Sequence, residues 1–163
     1  VTEAKNQQYF ASAVGEVNVV EMMKKHNAVI GGEGNGGIIY PALHYGRDAL
    51  VGIALFLTLL AKSKMTCSQL RATYPNYEIS KNKMELTKDM NVDSILEQMA
   101  EKYKDYEVST IDGVKINIEK EWVHLRKSNT EPIIRDYSES KDLDSANKLA
   151  QKIINEIKEI INK

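Results

Sequence analysis

The sequence predicts an α/β domain followed by an α+β domain, and three observations support this fold class. Over the first ~65 residues, short β-like runs alternate with helical ones, which is the order of a parallel α/β layer. In the second half, strand patterns follow one another closely, as in a mostly antiparallel sheet with helices on one face. A polar segment at 62–66 separates the two patterns, so we assign residues 1–64 to the first domain and 65–163 to the second.

The elements of the first domain follow from the spacing of its apolar residues. We expect a strand at 9–14, a helix from Val17 to His26, short strands at 28–30 and 38–40, and a helix from about Arg47 to Lys62. Gly15 ends the first strand, and Pro41 ends the last. The longest apolar run, 49–61, is shorter than the ~20 residues that cross a bilayer, so we expect no membrane span.

The second domain shows both helical and strand patterns. We expect helices at 68–74 and 92–103, strands at 77–86, 106–111, 114–118, 122–125 and 133–137, and a last helix from Leu143 to Ile161. Asp112 and Gly113 form a typical hairpin-turn pair between two of these strands. The last helix is the clearest element, because its apolar residues share one stripe and Asp142 or Asp144 can cap it.

Composition and charge exclude several classes of protein. Lysine and arginine number 22 against 23 aspartates and glutamates, which gives a net charge of −1 and no basic field to attract nucleic acid. The 42% hydrophobic and 28% charged content is that of a folded protein rather than a disordered one. Cys67 is the only cysteine, which excludes an internal disulfide and fits a reducing compartment, so we expect a cytoplasmic protein.

The segment 31–37, GGEGNGG, holds five of the nine glycines and is the first candidate site. Glycine allows the backbone to approach a ligand closely. Glu33 and Asn35 are the only side chains in the segment that form hydrogen bonds, and a carboxylate beside an amide suits sugar hydroxyls. A flexible turn with solvated polar residues is the alternative. The segment matches neither a P-loop nor a dinucleotide-binding fingerprint.

The segment 126–132, RKSNTEP, followed by Arg135, is the second candidate site. The guanidinium of Arg126 can bind a phosphate through two parallel hydrogen bonds. Ser128, Asn129 and Thr130 add side-chain donors, and successive N–H groups of a turn can form an anion-binding nest. A polar hairpin with a surface arginine is the alternative.

Together the two segments resemble the α-D-phosphohexomutase superfamily, which includes phosphomannomutases, phosphoglucomutases and phosphoglucosamine mutases. The stretch from Trp122 to Arg135 is similar to the phosphate-binding loop of that family's C-terminal domain, and 31–37 is similar to its sugar-recognition loop. Three shorter segments also occur in the order that the family resemblance leads us to expect: 14–16, 47–48 and 112–115. The resemblance covers nearly the whole chain.

The resemblance implies a four-domain enzyme that moves a phosphoryl group between two positions of a hexose. A phosphoserine in the first domain phosphorylates the hexose phosphate, and the hexose 1,6-bisphosphate turns over and returns its other phosphate. The second domain holds Mg²⁺, the third recognises the sugar hydroxyls and the fourth binds the phosphate that is not reacting. For this chain the resemblance implies a partial three-layer α/β domain followed by a TATA-box-binding-protein-like domain.

The family's binding residues can be carried over to matching positions only. Glu33 would accept hydrogen bonds from sugar hydroxyls, and Asn35 stands where many relatives have serine. The non-reacting phosphate would be bound by Arg126, Ser128, Asn129 and Thr130, with Arg135 in support. Gly37 stands where many relatives have histidine, and His44 could reach back to that place.

No serine lies in a setting like Thr-Ala-Ser-His-Asn-Pro, and the chain has no Asp-Gly-Asp sequence. We therefore expect a C-terminal fragment, the end of the third domain plus the fourth, without the phosphoserine or the Mg²⁺ site and inactive alone. The implied loss of a sheet strand predicts a homodimer through residues 1–65, since exposed strand edges and apolar faces recruit partners. A phosphoglucosamine mutase and a non-catalytic sugar-phosphate-binding module are the alternative functions.

Overall fold

The structure is a computed structural model that describes residues 2, 5–87, 90–128 and 131–162. The chain divides into two compact units, one that ends at Tyr74 and one that begins at Pro75. The sequence-based boundary at residues 64 and 65 falls within the first of these units and remains a prediction about domains. None of the helices in the described part of the chain is both long and apolar enough to span a membrane.

The described residues of the first unit form three helices and a small sheet. Its elements are α1 (Glu16–His26), β1 (Gly31–Gly32), β2 (Ile38–Tyr40), β3 (His44–Arg47), α2 (Ala49–Ser63) and α3 (Cys67–Ala72). The strands pair in the order β1-β2-β3, and both pairings are antiparallel. The expected helices and the strand at 38–40 are confirmed, whereas the expected parallel order is wrong for the described strands.

Two predicted strands of this unit are also wrong. Residues 7–13 have no regular secondary structure, and none of the described strands pairs with this segment. Residues 28–30 are likewise irregular, and pairing begins only at Gly31, which lies opposite Ile39. A β-like sequence forms a strand only where a neighbour satisfies its N–H and C=O groups, so the apolar pattern alone does not decide these segments.

The helix α2 follows directly from the small sheet. Asp48 caps its N-terminus, because the Asp48 carboxylate accepts a hydrogen bond of 2.9 Å from the Val51 amide. The same contact holds the pKa of the Asp48 carboxyl below its ordinary value. None of the residues of α2 is buried, and Leu50 is 78% exposed.

In the part of the second unit that the structure describes, a five-stranded antiparallel sheet carries two long helices on one face. Its elements are β4 (Glu78–Glu85), α4 (Val92–Lys102), β5 (Glu107–Ser109), β6 (Val114–Ile118), β7 (Glu121–Lys127), β8 (Ile133–Ser140) and α5 (Leu143–Ile161). The strand order is β4-β8-β7-β6-β5. Every element predicted for this part of the sequence is confirmed to within a few residues, and Asp142 is the cap of α5.

The core of this unit lies between the sheet and the helices α4 and α5. Its fully buried members come from every layer: Met99, Ile116, Val123, Leu125, Ile134, Ile153 and Ile157. Burying each such side chain stabilises the fold by about 1.5–3 kcal/mol relative to leaving it in water. Because strand side chains alternate between faces, the residues between the buried ones on β7 and β8 lie on the opposite face, which carries the second candidate site.

Candidate functional site

The glycine-rich segment is a tight β-hairpin between β1 and β2. Gly32 lies opposite Ile38, and the Glu33 amide donates a hydrogen bond of 3.0 Å to the Gly37 carbonyl. The Gly36 amide in turn donates to the Glu33 carbonyl at 3.0 Å, and Gly36 has a φ of 92°, in the region that favours glycine. The hairpin therefore brings the side chains of Glu33 and Asn35 onto one short turn.

The two candidate sugar-binding side chains of this hairpin differ in their surroundings. Glu33 is half-buried, whereas Asn35 is exposed. The Asn35 Oδ1 accepts a hydrogen bond of 2.9 Å from the Gly37 amide, so this oxygen shapes the turn. An asparagine amide has a carbonyl and an NH₂ group, and the NH₂ group is the part of Asn35 that this contact leaves available to a ligand.

An open recess of about 750 Å³ lies beside the hairpin. Its lining residues come from the hairpin, the start of α1 and the β3–α2 junction: Glu16, Asn35, Gly36, Gly37, Ile38, Gly46, Arg47, Asp48 and Ala49. Within it, Arg47 Nε lies 2.8 Å from the Glu16 carboxylate. The local sequence does not reveal this ion pair, because it joins residues that are 31 positions apart.

His44 does not extend toward Gly37 in the way that the sequence analysis considered. Its Nε2 lies 3.1 Å from the Asp48 carboxylate, and its Nδ1 accepts a hydrogen bond of 3.0 Å from the Gly46 amide. Both ring nitrogens are thus engaged at the β3–α2 junction, where His44 supports the capping residue of α2.

The phosphate-loop candidates lie on the hairpin formed by β7 and β8. Arg126 near the end of β7 lies directly opposite Arg135 near the start of β8, so the two side chains share one face of the sheet. The Ser128 amide donates a hydrogen bond of 3.0 Å to the Ile133 carbonyl and so narrows the loop. Ser128 itself is half-buried and Arg135 is exposed. Asn129 and Thr130 lie outside the described residues.

Arg126 is held by the turn that precedes β6. Its Nη2 lies 3.1 Å from the Asp112 carboxylate, and the two side chains are 30% and 26% exposed. Its Nε is buried and has no hydrogen-bond partner among the described residues. A buried guanidinium N–H without a hydrogen-bond partner raises the free energy of the folded state. This arginine is therefore well suited to bind a further anionic group.

Gly113 allows the Asp112 turn to approach β7 closely. Gly113 has a φ of 71°, and a β carbon there would lie 2.2 Å from the Leu125 carbonyl oxygen. The Asp112 carbonyl lies 2.5 Å from His124 Nε2. Burial lowers the pKa of His124, although its contact with Asp112 opposes the change, so the positive charge of this face comes from arginines and lysines, including Lys115, which lies opposite His124.

The sequence alone does not identify Asp112 and His124 as neighbours of Arg126. The Asp112–Gly113 turn is predicted, but its position against Arg126 depends on the β6–β7 register, in which Val114 pairs with Leu125. Lys127, the next residue of β7, faces the opposite side and forms an ion pair of 2.7 Å with Asp93 of α4. The local sequence does not show which of Arg126 and Lys127 lies on the face of the candidate site, whereas the alternation of side chains along the strand does.

Metal binding has no support from the described residues. No group of three or more histidine, cysteine, aspartate or glutamate side chains in the described ranges could hold a metal ion. The Mg²⁺ site that the family resemblance implies belongs to the family's second domain and remains a prediction.

Comparisons with known proteins agree on one family. The model described as "Phosphoglucomutase/phosphomannomutase, alpha/beta/alpha domain III" matches residues 1–77, and the one described as "Phosphoglucomutase/phosphomannomutase, C-terminal domain" matches residues 82–156. A solved phosphoglucomutase/phosphomannomutase family protein from Burkholderia thailandensis aligns with 95% of this chain and 33% of its own, at a TM-score of 0.74 and 23% identity. This similarity confirms the fold class predicted from the sequence.

Curated relatives are similar along most of this chain. The phosphoglucosamine/phosphogalactosamine mutase of Sulfurisphaera tokodaii is 39% identical over 91% of this chain and 32% of its own length. The phosphoglucomutase/phosphomannomutase of Thermococcus kodakarensis is 38% identical over 82% of this chain and 29% of its own. The chain thus spans about a third of the length of the curated relatives that it matches. With both family models matched in succession, the chain belongs to the phosphoglucomutase/phosphomannomutase family, of which it carries domain III and C-terminal domain sequences.

Proposed function

We propose that this chain supplies the sugar-recognition and phosphate-binding parts of a phosphohexomutase. The full-length enzyme would interconvert hexose 6-phosphate and hexose 1-phosphate, with mannose or glucose as the sugar. A phosphoserine, Mg²⁺ and a hexose 1,6-bisphosphate intermediate would take part, and the phosphoserine and the metal would be held outside the residues described here. The chain alone would bind ligand without turning it over.

The arrangement of Arg126 and Arg135 is the observation that carries this proposal. Like charges directly opposite each other on neighbouring strands are destabilising, and Asp112 provides one carboxylate against these two guanidinium groups. A phosphate dianion would offset the excess charge and give the buried Arg126 Nε an acceptor. A fixed phosphate would also orient the other end of the hexose for reaction, which is the main requirement of phosphoryl transfer.

The hairpin of the first unit supports the sugar-binding half of the proposal. Its half-buried Glu33 accepts hydrogen bonds only, whereas Asn35 can also donate them. The turn can therefore bind a hydroxyl that donates a hydrogen bond and one that accepts it. The recess beside it is lined by polar side chains and by glycines that expose backbone groups. These are contacts for a neutral, hydroxyl-rich ligand, in contrast to the cationic face of the β7–β8 hairpin.

The phosphate site is tested by titrating the 163-residue chain with inorganic phosphate and following backbone amide shifts by NMR. We expect shifts at Arg126 and Ser128, and we expect Arg126→Gln to weaken binding by about tenfold to a hundredfold, the effect of a charged hydrogen bond. Lys127→Gln is the matched control, because it removes the same charge one residue away on the other side of the strand. Equal losses in the two variants, or no shifts in the unchanged chain, would contradict the site.

The substrate is tested with the full-length enzyme on mannose, glucose and glucosamine phosphates. An amino-sugar mutase is the second candidate, because the Sulfurisphaera relative is named a phosphoglucosamine/phosphogalactosamine mutase and the Methanopyrus kandleri relative a probable phosphoglucosamine mutase. A kcat/KM for glucosamine phosphate well above that for the two neutral sugars would favour this candidate. Binding without turnover of any of the three would instead indicate a sugar-phosphate-binding module.

A further inference from the structure

Gly37 is a glycine for reasons of space rather than of backbone conformation. The glycines with positive φ are Gly15, Gly36 and Gly113, and Gly37 is not among them. A β carbon at residue 37 would lie 2.9 Å from Arg47 Cδ and 3.2 Å from Asn35 Oδ1. A side chain at this position would therefore displace the Arg47 side chain, which lies against the Gly37 backbone.

Arg47 is fixed in this place from two directions. Its backbone belongs to β3 and lies opposite Ile39 of β2, next to the hairpin turn. Its Nε lies 2.8 Å from the Glu16 carboxylate, and its amide donates a second, longer hydrogen bond of 3.3 Å to the same group. Glu16 is in the first turn of α1, where the helix dipole favours a negative charge. The guanidinium is nevertheless half-exposed and has further N–H donors to offer.

The charges around the recess indicate which part of a ligand Arg47 would meet. Glu16 neutralises the guanidinium, and the Asp48 carboxylate adds a negative charge that is paired with His44. A phosphate here would approach two carboxylates, which disfavours it, whereas a sugar hydroxyl can accept from arginine and donate to a carboxylate.

We propose that Arg47, positioned by Glu16, is a specificity-determining residue that donates hydrogen bonds to a sugar hydroxyl of the hexose phosphate, and that glycine at residue 37 is needed to leave it room. This proposal rests on the proposed function and adds to it the residue that would contact the sugar beside the glycine-rich hairpin.

The test is a double-mutant cycle in the full-length enzyme, with kcat and KM measured on the hexose phosphate that the unchanged enzyme prefers. Arg47→Ala should raise KM about tenfold, since a hydrogen bond from a charged donor is lost. Gly37→Ala should raise KM to a similar extent while Arg47 is present, and should add less than about twofold in the Arg47→Ala background. This non-additivity is expected of two residues that compete for one space.

Further variants separate contact with the ligand from a structural role. Arg47→Lys should recover part of the loss, and Glu16→Gln should raise KM by an intermediate factor, because an amide holds Nε more weakly than a carboxylate. Arg71→Ala, which removes another arginine of the same unit outside the recess, is the matched control and should leave KM within about twofold. Thermal unfolding and phosphate binding at the β7–β8 hairpin should stay unchanged in all of these variants.

The outcomes distinguish this inference from the proposed function. If the unchanged enzyme turns over a hexose phosphate but Arg47→Ala keeps its KM, or Gly37→Ala is equally harmful with and without Arg47, the inference is wrong and the proposed function stands. If the unchanged enzyme acts on none of the hexose phosphates, both are wrong.

Discussion

Asp136 offers a test of how burial of a charge affects the second unit. Its side chain is 1% exposed and lies on the helix-packed face of β8. Ser138 Oγ donates a hydrogen bond of 2.8 Å to one carboxylate oxygen, and Asn82 Nδ2 donates one of 3.3 Å to the other. Among the described residues, no lysine, arginine or histidine forms an ion pair with it.

Burial raises the pKa of Asp136 from 3.8 to about 6, although the hydrogen bonds from Ser138 and Asn82 oppose the change. The folded protein therefore binds a proton at this group over a pH range in which the unfolded chain has released it. The free energy of unfolding then falls as pH rises from about 4 to about 6, and its total decrease across this titration is about 3 kcal/mol. About half of it, ~1.5 kcal/mol, lies between pH 5 and pH 8.

The substitution Asp136→Asn should remove this pH dependence, because an amide does not titrate. We measure the free energy of unfolding of the variant and of the unchanged chain in urea at both pH values. We expect the difference between them to favour the variant by about 1.5 kcal/mol more at pH 8 than at pH 5, because the unchanged chain loses that much stability over this range. Any fixed cost of fitting the amide between Ser138 and Asn82 cancels in this comparison. Asp144→Asn, at a 75% exposed carboxylate paired with Lys148, is the control and should show no such trend. A difference between variant and unchanged chain that is the same at both pH values would refute the reasoning.

Three further predictions concern other parts of the molecule. Tyr103→Phe should lower the free energy of unfolding by about 1 kcal/mol in urea titrations, because the buried hydroxyl donates a hydrogen bond of 3.0 Å to Glu156. Gly113→Ala should cost more than about 2 kcal/mol, since the positive φ and the Leu125 carbonyl both exclude a β carbon; a smaller loss would contradict this geometry. The exposed apolar residues of α2 predict self-association of the 163-residue chain in light scattering, which Leu50→Glu should reduce; a strict monomer at high concentration would argue against it.

The second unit could be predicted from the sequence because its pattern and its packing agree. The apolar stripe of α5 and the alternation along β6, β7 and β8 each describe an element that buries one face and exposes the other. The first unit lacks this agreement. The apolar residues at 9–14 and 28–30 have no partner strand among the described residues, and α2 is apolar all round without a buried residue, so propensity there does not report packing.

The candidate sites show the same division between local and long-range information. Glu33, Asn35, Arg126 and Arg135 could be chosen from the sequence because each lies in a short segment whose composition suits a ligand. The family resemblance marks the segments that contain Glu16, Arg47 and Asp112, but the contacts of these residues could not be predicted, because they depend on strand register or on the approach of a helix to a hairpin. The contact of His124 with the Asp112 turn depends on the same register. Such contacts join residues distant in the chain, and single-sequence patterns carry no information about them.

If phosphate binds the β7–β8 hairpin as we propose, the pair of arginines on these strands links the stability of the second unit to that binding. Without an anion, the repulsion between the arginines raises the free energy of the folded state, and so does the Arg126 Nε, which has no hydrogen-bond partner among the described residues. The Asp112 contact offsets only part of this cost. A phosphate that binds the folded chain alone removes both penalties, so the sheet should gain stability as phosphate concentration rises past its dissociation constant. The cost is restricted to one hairpin at the edge of a well-packed core, where buried residues such as Val123 and Ile134 hold the two strands in register regardless of charge. The unit can therefore keep this cationic face without an anion, and the proposed phosphate would need no change of fold to bind there.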